Sequence, residues 1–149
     1  MTWKPDLTVA AVVQQDDRFL IVEERIDGQL VLNQPAGHVE DNESILQAVV
    51  RETREETAWL FSPRYLLGTY LWRNPRDGCS SLRFAFLGDV SDRRAHQKLD
   101  HGIVAARWLR RSDLEQSPAR LRSPLVLRCI DDFIAGQRFS LDCVRSVQT

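Results

Sequence analysis

Apolar and β-branched residues alternate with polar turns along the first third of the chain. Leu7-Thr8-Val9-Ala10-Ala11-Val12-Val13 is β-rich and reads as a strand; Gln14 to Asp17 are turn-like, and Arg18 to Glu23 read as a second strand. Asp27-Gly28 marks a turn before a short apolar run, Leu30-Val31-Leu32. A loop holding Pro35-Ala36-Gly37 follows. From Ser44 to about Thr57 the period becomes helical, with Leu46, Val49, Val50, Thr53 and Thr57 marking the stripe to be buried. Ser44 and Gln47 have the spacing of a capping box at its start.

Downstream, Tyr65 to Trp72 and Ser80 to Leu87 read as strands flanking the turn-rich Asn74-Pro75-Arg76-Asp77-Gly78. A polar loop from Ser91 to His101 leads into a strand over Ala105 to Leu109. Ser123-Pro124 opens the last helix, which carries Val126, Cys129, Ile130, Phe133 and Ile134 on one face and stops at Gly136. Strands surrounding two helices, with hairpins and no βαβ alternation, predict an α/β fold in which a mixed sheet is sandwiched between helices. The 149 residues fit one domain over 1–149.

Composition narrows the class. Hydrophobic residues at 43% and charged residues at 28% are ordinary for a globular protein. The net charge of −1 gives no basic excess for nucleic acid, and no basic amphipathic segment points to a membrane surface. The N-terminus lacks the apolar core of a secretory signal and no stretch approaches membrane-spanning length, so a cytoplasmic setting is expected. The three cysteines, Cys79, Cys129 and Cys143, have no ligand-like spacing and read as isolated, half-buried thiols.

Chemistry concentrates in Gly37 to Trp59. On a helical wheel Glu52, Glu55 and Glu56 share one arc about 100° wide, on a different side from the apolar stripe. Like charges at i,i+3 and i,i+4 cost a few tenths of a kcal/mol per pair. Acidic groups near a helix C-terminus add about 0.3–1 kcal/mol each against the macrodipole. Arg51 and Arg54 offset part of this, and a bound dication would offset the rest. Magnesium or manganese suits a ligand set made only of oxygens.

The plainer reading is a solvated, charge-mixed helix face. The wider spacing decides against it. Gly37, Glu43, Arg51, Glu52, Glu55 and Glu56 form a six-position pattern that, at about 6% usage per residue type, arises by chance in roughly one such chain in 10⁵. The pattern resembles the box of the Nudix hydrolases: Gly, five residues, Glu, seven residues, Arg-Glu, two residues, Glu-Glu, one residue, Gly and an apolar residue. Trp59 fills the apolar end, and Ala58 stands where the box has its second glycine. By this resemblance Gly37 offers a backbone carbonyl to the metal, Glu55 and Glu56 are ligands, and Glu52 is a ligand or the base. Arg51 orients the carboxylates and Glu43 anchors the loop to the helix. A further acidic residue outside the box is expected to join them, with Asp100 the first candidate and Asp89 the second.

The likeness extends to Thr8–Val13, Asn33–Glu40, Leu82-Arg83-Phe84, Leu121–Val126 and Gly136–Phe139, which are similar to the NudJ-like phosphatase branch of the family. That branch implies release of orthophosphate from nucleoside di- and triphosphates and from thiamine-type diphosphates. Arg83, central in a strand, is the candidate to grip phosphate, ahead of Arg25, Arg73 and Arg76. Trp72 is the candidate stacking surface for a ring, ahead of Trp3 and Trp108. His38 lies beside Gly37 and could contact phosphate, but the metal scheme requires none of the histidines, and His38, His96 and His101 read as solvated or structural. The competing expectations are a nucleotide-sugar or dinucleotide pyrophosphatase, and a Nudix-fold ligand-binding module without catalysis. A monomer or a homodimer is expected.

Overall fold

The structure, a computed structural model, describes residues 1–147. Strands β1 (Asp6–Val12), β2 (Gln14–Gln15), β3 (Arg18–Ile26), β4 (Gln29–Asn33) and β5 (Ala36–His38) precede helix α1 (Ile45–Thr57). Then come β6 (Leu60–Arg73), β7 (Ser80–Ser91), β8 (Ile103–Arg110), α2 (Arg111–Glu115) and α3 (Leu125–Ile134). The α/β architecture is as expected, but its strands divide between two sheets and there is a third, short helix. That helix, α2, buries a single residue, Leu114, and so leaves no periodic signal to read.

One sheet has the order β5-β1-β7-β6 and is mixed, because β1 and β7 run parallel while the other neighbours run antiparallel. In the other sheet β3 lies between β4 and β8, with β2 also paired to β3. Register sorts the first sheet into faces, since directly opposed residues point the same way. His38, Thr8, Arg83 and Tyr70 form one row, and Ala36, Ala10, Ala85 and Gly68 form the next row on that face. The small residues admit α3, whose Val126, Cys129 and Ile130 join Ala85, Val12 and Leu67 in one core. The opposite face, through Val9, Ala11 and Phe86, packs on Ala48 and Val49 of α1.

The segment at Pro35-Ala36-Gly37 is not wholly a loop. Ala36–His38 pairs with β1 as an edge strand, too short for any alternation to show in sequence. Helix α1 starts with the expected capping box: the Gln47 amide donates to Ser44 Oγ (3.0 Å) and the Ser44 amide to Gln47 Oε1 (2.9 Å). Its buried side differs from the expected stripe. Val49, Thr53 and Thr57 are buried and Leu46 and Val50 half-buried, but Ala48 and Glu56 are buried too. On α3, Ile134 is 59% exposed because it sits at the last turn, beyond the reach of the sheet. The cysteines are indeed unpaired, yet Cys129 is buried while Cys79 and Cys143 are exposed. Among the described residues no helix is long and apolar enough to cross a membrane.

The terminal carbonyls of α1 are capped by the polar loop before β8. Arg94 N–H donates to Ala58 O (3.0 Å), Gln97 Nε2 to Arg54 O (2.6 Å) and Asp100 N–H to Glu55 O (2.9 Å). Ala58 itself adopts the left-handed conformation, φ 66° and ψ 2°. That strain is worth about 1–2 kcal/mol for a residue with a Cβ, against about 0.8 kcal/mol for burying its methyl. Ala58→Gly is therefore expected to raise unfolding free energy by about 0.5 kcal/mol with turnover unchanged, as read from denaturant midpoints.

Candidate active site

The face of the first sheet that carries Thr8 and Arg83 opens, beyond the end of α3, into a cleft of about 440 Å³. Six acidic residues line it, four of them grouped at the α1 side: Glu52 and Glu56 from α1, Glu24 from β3, and Asp100 from the loop before β8. Arg83 forms its floor, and Asp6, Trp72 and Asp77 stand among the residues toward the turn between β6 and β7.

Gly37 explains how α1 reaches the cleft. It pairs with Val9, whose side chain packs toward α1, so a Cβ on Gly37 would point at the helix. That Cβ would fall inside the Glu52 carboxylate. Glycine lets the edge strand and the helix approach this closely. One residue earlier, the Ala36 amide donates to Glu56 Oε1 (2.9 Å).

Arg51 organises the rest of the acidic group. Its Nε and Nη2 form a forked pair with Glu43 (2.6 and 2.9 Å), and Nη2 also donates to the His38 carbonyl (2.9 Å). Its Nη1 donates to Glu52 (2.9 Å) and Glu55 (3.1 Å). The Glu43 contact keeps that carboxyl below its usual range and raises Arg51 above its own. Burial pushes Glu52 and Glu24 upward, with Arg51 opposing the shift at Glu52. Glu56 is only 6% exposed and has no basic partner among the described residues, and burial pushes it up to about 9.

The cleft thus gathers seven of the residues singled out in the sequence: Gly37, His38, Glu52, Glu56, Asp100, Arg83 and Trp72. Glu43 joins through Arg51. Glu55 does not line the cleft; it is half-exposed on an adjoining surface with Gln97, Lys98 and Asp100, tied back by Arg51. Asp89 is paired with Arg64 (3.0 Å) on an exposed surface, and Arg25 donates to Gly28 O (3.3 Å). Neither they nor Arg73 and Arg76 line the cleft. Glu24 and Asp77 were not read as site residues, and Asn33 and Arg122 entered only within segments similar to the family, with no role assigned. Strand pairing and loop return bring all four here.

Among the described residues no three acidic, histidine or cysteine side chains gather tightly enough to wrap one ion. Magnesium does not need such a cage: it takes one or two carboxylates and keeps several waters. The carboxylates facing the cleft offer oxygen donors, Glu56 among them is buried, and Gly37 leaves its neighbourhood clear of a Cβ. A hydrated divalent cation fits that donor set.

The NUDIX domain model matches residues 4–128. Phosphatase NudJ of Escherichia coli is 37% identical over 142 residues, covering 95% of this chain and 92% of that protein. A solved NUDIX hydrolase from Nitrosomonas europaea is 46% identical with a TM-score of 0.94, covering 97% of this chain and 98% of that one. The NUDIX domain of Shewanella oneidensis NrtR, solved with ADP ribose, shares the fold at a TM-score of 0.72 and 22% identity, covering 91% and 90%. With a family match over most of its length and relatives this similar, the chain belongs to the Nudix family and is a Nudix hydrolase.

Proposed function

We propose that the protein is a divalent-cation-dependent phosphatase that hydrolyses phosphoanhydride bonds in nucleoside di- and triphosphates and in thiamine-type diphosphates, releasing orthophosphate. The observation that carries this reading is the meeting of the buried Glu56 and half-buried Glu52 and Glu24 carboxylates with a buried guanidinium across one cleft. The similarity to a protein described as a phosphatase supports the choice of product. Glu52, Glu56 and the Gly37 carbonyl would hold magnesium, with Asp100 and, from the adjoining surface, Glu55 as further donors; the ion would supply Lewis acidity and lower the pKa of water.

The chain's own groups do the rest. Arg51 holds Glu52 and Glu55 in place, and Glu43 fixes Arg51 through the forked contact. Glu52 either binds the cation or takes the proton from the attacking water. The water oxygen bonds to phosphorus as the bridging P–O bond breaks, and the leaving phosphate carries off the electron pair. Arg83 grips a phosphate at the floor, and half-buried Trp72 offers a face to the ring of the substrate.

Product analysis with and without magnesium tests this on nucleoside di- and triphosphates, thiamine diphosphate, ADP-ribose and dinucleoside polyphosphates. Magnesium-dependent orthophosphate release from the first three is the expected result. Nucleoside monophosphate release from ADP-ribose or dinucleotides would overturn the substrate class, and no turnover at all would favour a binding module.

A further inference from the structure

Arg83 is 6% exposed, yet every partner of its guanidinium is neutral. Nη1 donates to Gln34 Oε1 (3.1 Å) and toward Cys129 Sγ (3.9 Å), and Nη2 donates to Asn33 Oδ1 (3.2 Å). Among the described residues it has no ion pair. Arg51, by contrast, touches Glu40, Glu43, Glu52 and Glu55. A buried cation without a counter-charge is costly to keep, so proteins ordinarily place a carboxylate beside it.

The two amides are built into the frame. Gln34 is 1% exposed, and its Nε2 donates to the Val126 carbonyl of α3 (2.8 Å), which turns Oε1 toward Arg83. Asn33 ends β4 and lines the cleft. An amide oxygen accepts from a guanidinium and orients it, less strongly than a carboxylate does, and brings no counter-charge to it.

We infer that Asn33 and Gln34 are positioning residues that hold Arg83 in place without neutralising it, keeping the cleft floor as an unpaired cationic subsite for one phosphate group. This deepens the reading above and rests on it for the substrate. The subsite also takes orthophosphate alone, so the product competes with substrate there.

Gln34→Glu and Asn33→Asp test the assignment, because each is isosteric and adds a carboxylate beside Arg83. Orthophosphate is titrated calorimetrically into the full chain in magnesium buffer, alongside steady-state kinetics and thermal melts. Both variants are expected to bind orthophosphate about 10-fold or more weakly, with KM rising far more than kcat falls; melting temperature is kept in Asn33→Asp and falls in Gln34→Glu, which loses the bond to the Val126 carbonyl. A merely structural role predicts lower melting temperature with unchanged KM and phosphate affinity. Unchanged phosphate affinity in either folded variant, or no phosphate binding by the wild type, overturns the inference. Asn33→Asp, nearer the cleft opening, serves if Gln34→Glu does not fold. A wild type that cleaves no phosphoanhydride, yet loses phosphate binding on Gln34→Glu, would defeat the proposed activity and leave the subsite standing.

Discussion

Glu56→Gln is expected to lower kcat by about 10³-fold while making the metal-free protein more stable at neutral and alkaline pH. The turnover loss follows from removing a carboxylate proposed to hold the cation, whose charge stabilisation is worth several kcal/mol. The gain in stability follows from burial. Glu56 titrates at about 9 in the folded chain against an ordinary 4.5, because its charged form is desolvated. A carboxyl raised in this way favours folding fully below pH 4.5, and that contribution is lost as pH rises toward 9.

Glutamine stays neutral throughout and still accepts the Ala36 amide, so melting temperature in chelator should decline less steeply with pH. Some slope persists, since burial also raises Glu52 and Glu24. Magnesium should raise the melting temperature of the wild type and have a much smaller effect on the variant. A folded Glu56→Gln protein with wild-type kcat would sink the proposed role.

Gly37→Ala is the second large effect, expected at about 10²-fold in kcat with the fold retained. The added methyl lands on the Glu52 carboxylate, the far end of a flexible side chain, so the side chain can swing while the backbone holds. Swinging breaks the geometry that Arg51 Nη1 sets at 2.9 Å. A displacement of about 1 Å in a reacting group is enough for a loss of this size. The circular dichroism spectrum should match the wild type, and Gly37→Ala combined with Glu52→Gln should lose little beyond Glu52→Gln alone. Full additivity of the two losses would mean that Gly37 acts elsewhere, since residues sharing one contact are coupled.

Glu52, Glu55 and Glu56 were recognisable as one arc because helical periodicity is a property of the chain itself. The same holds for the Ser44–Gln47 capping box and for the strands from Asp6 to Ile26 and from Ser80 to Ser91, whose composition favours them before anything packs. What the wheel cannot supply is the neighbour on each side of it. The edge strand Ala36–His38 passes close to one flank of α1, so Glu56 is buried against Ala36 while Glu55, one residue earlier, is turned out of the cleft.

By itself the sequence determined the α1 helix, the spacing of its carboxylates and their link to Arg51, because all of these lie within a few helical turns or one adjoining loop. Only the tertiary structure decided that Arg83 is buried without a carboxylate partner, that Asn33 and Gln34 hold it, and that Glu24 and Asp100 face Glu52 and Glu56. Those contacts join positions 28 to 50 residues apart in sequence. They depend on which strands pair and where a loop returns, and burial then changes the charge of a carboxyl whose local sequence looks like any exposed glutamate.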